Sequence, residues 1–169
     1  LETTNVNNLK AGFEWTGKWY KNGGGNLVGD DIYTTEEGGT KVTKGSVEAF
    51  VPESSSKSSI DGDTTELGFN DWGYQAFLKI DLSKYKKPVV AFNFLDISDT
   101  EDFVETVTIG TSDKVGGSGK NTYDLKYSEF HGKGIVLNDT LLKALETEPY
   151  LYITFAGKPA VTGITVYEG

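Results

Sequence analysis

The stretch at residues 68–83, GFNDWGYQAFLKIDLS, alternates in chemistry. Trp72, Tyr74, Ala76, Leu78 and Ile80 share one parity, and Gly73, Gln75, Phe77 and Lys79 share the other. A period of two belongs to a strand, because successive side chains leave the pleated backbone on opposite faces. The pattern recurs along the chain. Residues 11–20 set Phe13 and Trp15 against Glu14 and Thr16, and residues 47–51 set Val47, Ala49 and Val51 against Glu48 and Phe50. Residues 89–97, VVAFNFLDI, are apolar at nearly every position, as in a strand buried on at least one face. Alternation returns in residues 103–111, 123–127, 150–156 and 161–167, and residues 27–35 carry a short, glycine-broken version.

Turn chemistry separates these runs. The NGGGN of residues 22–26 and the glycine-rich residues 112–121 suit loops, because glycine in an element interior costs backbone entropy. Residues 54–65, SSSKSSIDGDTT, read as a long exposed loop. One segment has helical character: in residues 138–146, NDTLLKALE, Asn138 or Asp139 can cap while Leu141, Leu142 and Leu145 fall on one side. The pattern predicts an all-β fold, a sandwich of two antiparallel sheets with one short helix near residues 138–146. Residues 1–10 are polar and without period, a linker or flexible N-terminus, which leaves residues 11–169 as a single β-sandwich domain.

Composition narrows the function classes. The net charge is −9 and all sixteen cations are lysine. Phosphate recognition draws on a basic footprint and on bidentate guanidinium groups, so nucleic acid and anionic membranes are not expected partners. Cysteine is absent, which excludes disulfides, thiolate metal sites and cysteine nucleophiles. No apolar run approaches the roughly 18 residues that span a bilayer as a helix.

Catalytic constellations find little support. His131 is the only histidine and sits in a glycine-flanked turn, so it reads as a surface residue. Glycosidases hold two carboxylates about 5–9.5 Å apart in a cleft, and no stretch singles out such a pair. Around Gly119 and Lys120 the chain resembles a phosphate loop, but Lys114 stands at the first glycine position and Asn121 replaces the magnesium-binding hydroxyl. The acidic groups at Asp30–Asp31, Asp61 and Asp63, and Asp96, Asp99, Glu101 and Asp102 lack EF-hand spacing and read as solvated loops. The chain is read as a binding module, not an enzyme.

The aromatic residues are more informative. An aromatic ring offers an apolar face to the C–H side of a pyranose, and amides answer its hydroxyls. Trp19 and Tyr20 sit among Lys and Gly, while Trp72 and Tyr74 adjoin Asn70, Asp71 and Gln75. Trp15 shares parity with Phe13 and is expected in the core. If Val90, Phe92, Phe94, Leu151, Ile153 and Phe155 face inward, then Gln75, Asn93 and Tyr152 face outward and could lie side by side, with Trp72 at the edge. Trp72 itself has core parity and reaches the outside only through a bulge at Gly73 or a later strand start.

The FEW at residues 13–15, the strand of residues 72–83 ending in IDLS, the VVAFNF run and the closing VTGITVYEG together resemble carbohydrate-binding modules of the galactose-binding-like, β-jelly-roll type. The resemblance implies a jelly roll, a secreted or cell-surface bacterial location, and a monomeric module within a larger glycan-degrading enzyme or cellulosomal protein. It implies recognition of a plant cell-wall polysaccharide such as β-glucan or xyloglucan. The expected ligand-binding set is Trp72, Gln75, Asn93, Tyr152, Trp19, Tyr20 and Tyr74. A structural Ca²⁺ is common in such modules, and Glu14 matches an acidic position used for it, although the closing strand lacks the Asp often found there. The competing class is a structural or protein-binding sandwich of a bacterial adhesin or scaffold, and a small jelly-roll glycosidase or lyase is a third.

Overall fold

The computed structural model describes residues 1–20, 32–36, 39–44, 47–52, 56–59, 66–70, 74–94, 104–157 and 160–169. Its strands, in chain order, are β1 (Thr3–Thr4), β2 (Lys10–Tyr20), β3 (Ile32–Glu36), β4 (Gly39–Lys44), β5 (Val47–Pro52), β6 (Ser56–Ser59) and β7 (Glu66–Asn70). They continue as β8 (Tyr74–Lys79), β9 (Pro88–Phe94), β10 (Val104–Ser112), β11 (Lys120–Lys126), β12 (Gly134–Val136), β13 (Tyr150–Gly157) and β14 (Ala160–Glu168). Two short helices, α1 (Tyr127–Phe130) and α2 (Asp139–Ala144), flank β12.

Two large antiparallel sheets enclose the core. One has the order β1-β12-β9-β14-β2, and the other β11-β10-β13-β8-β7-β6. The first contributes Phe13, Val90, Ile135, Val161, Ile164 and Val166 to the space between them. The second contributes Ala76, Leu78, Val107, Ile109, Leu151, Ile153 and Phe155. All but Val161, which a register shift before Gly163 brings inward out of parity, follow the alternation of their strands, so burial of one parity fixes each face; a one-residue slip would turn the set toward water. A third sheet, β3-β4-β5, brings β5 beside β2.

An aromatic cluster closes one part of the core. Phe92 and Phe94 of β9 meet Phe155 of the opposite sheet edge to face, at ring-centroid distances of 5.2 and 5.7 Å. Phe130 of α1 packs 6.1 Å from Phe92. Edge-to-face pairing sets the positive rim of one ring on the negative face of the next. Trp15 packs half-buried against this core, as its parity predicts.

The helix expected near residues 138–146 forms as α2. The Asn138 side chain accepts a hydrogen bond from the Leu141 backbone N–H at 2.9 Å, satisfying a donor that the first turn leaves open, which stabilises a helix by about 1 kcal/mol. Leu141 is fully buried, and Leu142 and Leu145 pack half-buried beside it.

Several elements, β4 and β12 among them, were not legible in the hydrophobic pattern. Residues 56–59, read as part of a serine-rich loop, form the last strand of the six-stranded sheet and pair with β7. An all-polar strand held by main-chain pairing carries no apolar signature. Thr3 and Thr4, within the stretch read as a linker, pair with Ile135 and Gly134 as an edge strand. Finally, the alternation of β11 does not run on past Tyr127 but turns into α1, where the Glu129 carboxylate accepts from the Lys126 backbone N–H at 2.7 Å.

The β10–β11 hairpin contains a bulge. Ile109 pairs with Tyr123 but Thr111 with Lys120, and Asn121, at the extra position, has φ 53°. Asparagine tolerates this left-handed conformation better than other residues with a Cβ, apart from Asp. Beneath the bulge, the fully buried Thr111 hydroxyl accepts from Asn121 Nδ2 at 3.0 Å and donates to Glu148 Oε2 at 3.0 Å. Lys120 Nζ lies 3.6 Å from Glu148 Oε1 and completes the clamp.

Candidate functional site

The outer face of the six-stranded sheet is organised in cross-strand rows. Thr108 pairs with Asp124 on one side and Thr154 on the other, Thr154 pairs with Gln75, and Gln75 with Asn70. Since Val107, Ile109, Ile153, Ala76 and Leu78 at alternate positions fill the core, the described side chains of this row point away from it. Asp124 is exposed, and Thr108, Thr154 and Gln75 are half-buried. The groups are tied to their neighbours. Thr108 Oγ1 donates to Asp124 Oδ1 at 2.5 Å, and Gln75 Nε2 donates to the Tyr152 hydroxyl at 2.9 Å.

The next row differs in chemistry. Gly110, Tyr152, Phe77 and Gly68 are register partners in sequence across four strands. On an outward face these rings would ordinarily meet solvent, yet Phe77 is fully buried and Tyr152 is 8% exposed. Their centroids lie 5.5 Å apart with the rings tilted by 59°. Gly119 accounts for part of the cover: a Cβ there would stand 2.4 Å from Tyr152 Cε1, so the chain approaches the ring as closely as only glycine allows. Tyr152 is therefore an outward residue by parity and a covered one by packing. Its ring offers no open face for stacking, while its hydroxyl holds the Gln75 amide in place.

The other expected site residues are dispersed. Asn93 is exposed on the outer face of the five-stranded sheet, opposite Gly163 of β14, and so does not join Gln75 and Tyr152. Parity had placed all three outward, but β9 pairs with β12 and β14, whereas β13 pairs with β10 and β8. Face is a local property, and sheet membership is not. Glu14 is exposed on the same outer face as Asn93, opposite Thr165. Trp19 and Tyr20 are at the end of β2, in register with Val161 and Ala160, and Tyr74 opens β8 opposite Phe155. Trp72 and Gly73 lie outside the described residues.

Among the described residues, calcium finds no matching ligand set. Among the described residues no three His, Asp or Glu side chains gather where they could hold a metal ion, and the register partner of Glu14 is a threonine. Ca²⁺ takes six to eight oxygens, so Glu14 alone does not make a site. The acidic loops at Asp30–Asp31, Asp61 and Asp63, and residues 96–102 lie outside the described residues.

Among the described residues, two hollows lie elsewhere, on either side of Leu142. One of about 630 Å³ is lined by Lys86, Lys87, Asn138 and Asp139 with apolar neighbours, and one of about 410 Å³ by Ile80, Asp81, Leu82, Tyr85 and Leu145. In the second, the Asp81 carboxylate accepts from the Ser83 hydroxyl at 2.6 Å and from its backbone N–H at 3.0 Å, and these two bonds hold its pKa below the ordinary carboxylate value. Neither hollow contains Gln75, Tyr152, Asn93 or Glu14.

Asp124, Thr108 and Thr154 were not anticipated. Their only sequence signal is that each is a polar residue between two core positions, which any solvated strand face would show. Their alignment depends on long-range register. No protein-family model, curated protein or solved structure matches the chain.

Proposed function

We propose that this chain is a non-catalytic carbohydrate-binding module for a neutral plant cell-wall type polysaccharide, with its site on the outer face of the six-stranded sheet. The observation that carries the reading is the Gln75 amide, half-buried and anchored through Nε2 to the Tyr152 hydroxyl, within a row of hydroxyl and carboxylate groups. A fixed amide meets a sugar hydroxyl without first losing side-chain freedom, and such preorganisation raises affinity. Tyr152 acts here as a positioning residue. The stacking ring in this reading is Trp72, three residues before Gln75. The module serves a larger glycan-degrading protein outside a bacterial cell and works as a monomer.

Affinity electrophoresis through gels containing β-glucan, xyloglucan and related polysaccharides tests the reading. The wild-type chain is expected to be retarded by at least one of them, and Gln75→Ala to weaken that retardation up to about tenfold, the effect of losing one hydrogen bond. A folded Gln75→Ala variant with undiminished retardation would move the site elsewhere. Absence of retardation across the panel would favour the structural or protein-binding sandwich.

A further inference from the structure

We infer that the row Asp124–Thr108–Thr154–Gln75 selects uncharged, hydroxyl-rich chains and rejects acidic ones, and that Asp124 is the residue that sets this discrimination. The inference rests on the glycan-binding reading and adds to it a ligand class and a specificity residue. With the Asn70 register position, the row crosses five adjacent strands, about 19 Å at a strand spacing of roughly 4.8 Å. Asp124 lies on β11, the edge strand of the sheet, so the row runs out to the sheet margin.

Hydrogen-bond bookkeeping within the row decides the ligand chemistry. The single hydroxyl hydrogen of Thr108 is directed to Asp124 Oδ1, and one Gln75 amide hydrogen goes to Tyr152. What the row turns outward is weighted toward acceptors: the remaining carboxylate lone pairs of Asp124, the Gln75 carbonyl and the threonine oxygens. A sugar hydroxyl can donate to all of these. A uronate or sulfate oxygen can only accept, and it meets a formal negative charge at Asp124, which Thr108 anchors in its exposed position. Among the described residues, Lys126, paired with Thr106 in the neighbouring row of β11, and Lys79 of β8 are exposed cations of this face, and both lie outside the row. Asp124 thus serves as an acceptor for one class of chain and as a repulsive element against the other.

The test compares a neutral polymer that retards the protein, such as β-glucan or hydroxyethyl cellulose, with the same backbone after carboxymethylation. The wild-type chain is expected to bind the neutral polymer better. Asp124→Asn keeps an acceptor for Thr108 and is expected to raise relative binding of the carboxymethylated polymer about fivefold, the size of repulsion between two contacting unit charges in water. Glu168→Gln removes the same charge from the opposite sheet and is expected to leave the ratio unchanged. Equal binding of both polymers by the wild type would overturn the inference. So would a ratio unmoved by Asp124→Asn, or moved equally by Glu168→Gln, which would assign the effect to net charge. Failure of every polymer to bind removes the glycan reading itself, and this inference with it.

Discussion

The contact between Gln75 and Tyr152 makes a quantitative prediction that does not depend on knowing the ligand. Tyr152→Phe removes the hydroxyl that accepts from Gln75 Nε2 at 2.9 Å and leaves the ring beside Phe77 intact. No cavity opens, so the cost is that of one hydrogen bond, about 1 kcal/mol net. For a chain of this length that lowers the melting temperature by roughly 2–4 °C. Gln75→Ala removes the same bond from the other side, and because Gln75 is half-buried the coupling between the two should fall at about 0.5–1 kcal/mol. Urea unfolding of the wild type, both single variants and the double variant, followed by tryptophan fluorescence and extrapolated linearly to water, measures that coupling. Additivity within about 0.3 kcal/mol would show that the two side chains do not interact and would remove the physical basis for calling Tyr152 a positioning residue.

Further predictions concern the packing around this pair and the supports of the sheet. Gly119→Ala places a Cβ 2.4 Å from a ring held between Phe77 and the Gln75 bond, so it should destabilise by about 1–3 kcal/mol and weaken glycan retardation together; unchanged unfolding in urea would contradict the close approach. Thr111→Val strips a fully buried hydroxyl from both Asn121 and Glu148 and is expected to lower stability by about 2 kcal/mol, with a loss under about 0.5 kcal/mol in thermal melts counting against the clamp. Ser83→Ala removes the side-chain bond that chiefly depresses the Asp81 pKa, so the carboxyl should titrate at higher pH in an NMR experiment. The sign follows from linkage: a depressed carboxylate pKa contributes stability at neutral pH that is lost as pH falls through the folded-state value, and the variant should lose part of that dependence. An unmoved Asp81 midpoint would refute the assignment.

Local alternation read the longer strands with an apolar face well, though not the three-residue, wholly buried β12. Phe13, Val90, Val107, Ile153 and Ile164 lie inward as their parity requires, and the Asn138 cap sits at the start of the one expected helix. What the sequence could not supply is the pairing of distant strands. Gln75 and Tyr152 are 77 residues apart yet share a hydrogen bond, while Asn93, much nearer Gln75 in sequence, lies on the other sheet. Burial of Phe77 had no local signature either. Its parity matches that of Gln75 and Lys79, and only tertiary cover distinguishes a buried aromatic on that face from its polar neighbours.

Asn93 offers the sharpest test of which face binds. Asn93 is exposed opposite Gly163, where a Cβ would stand 3.0 Å from its Nδ2, and it shares that face with Glu14 and Thr165. Gln75 lies on the outer face of the opposite sheet, beyond a core that keeps packed sheets about 10 Å apart. A ligand resting on one outer face cannot touch the other, so the two amides cannot contribute to one binding event. Asn93→Ala is therefore expected to leave polysaccharide retardation unchanged, and since an exposed polar side chain removed from a sheet surface costs within about 0.5 kcal/mol, folding should be unaffected as well. Gln75→Ala measured beside it should weaken binding. The reverse outcome, loss with Asn93→Ala and retention with Gln75→Ala, would transfer the site to the five-stranded sheet and leave the Gln75–Tyr152 bond with a purely structural role.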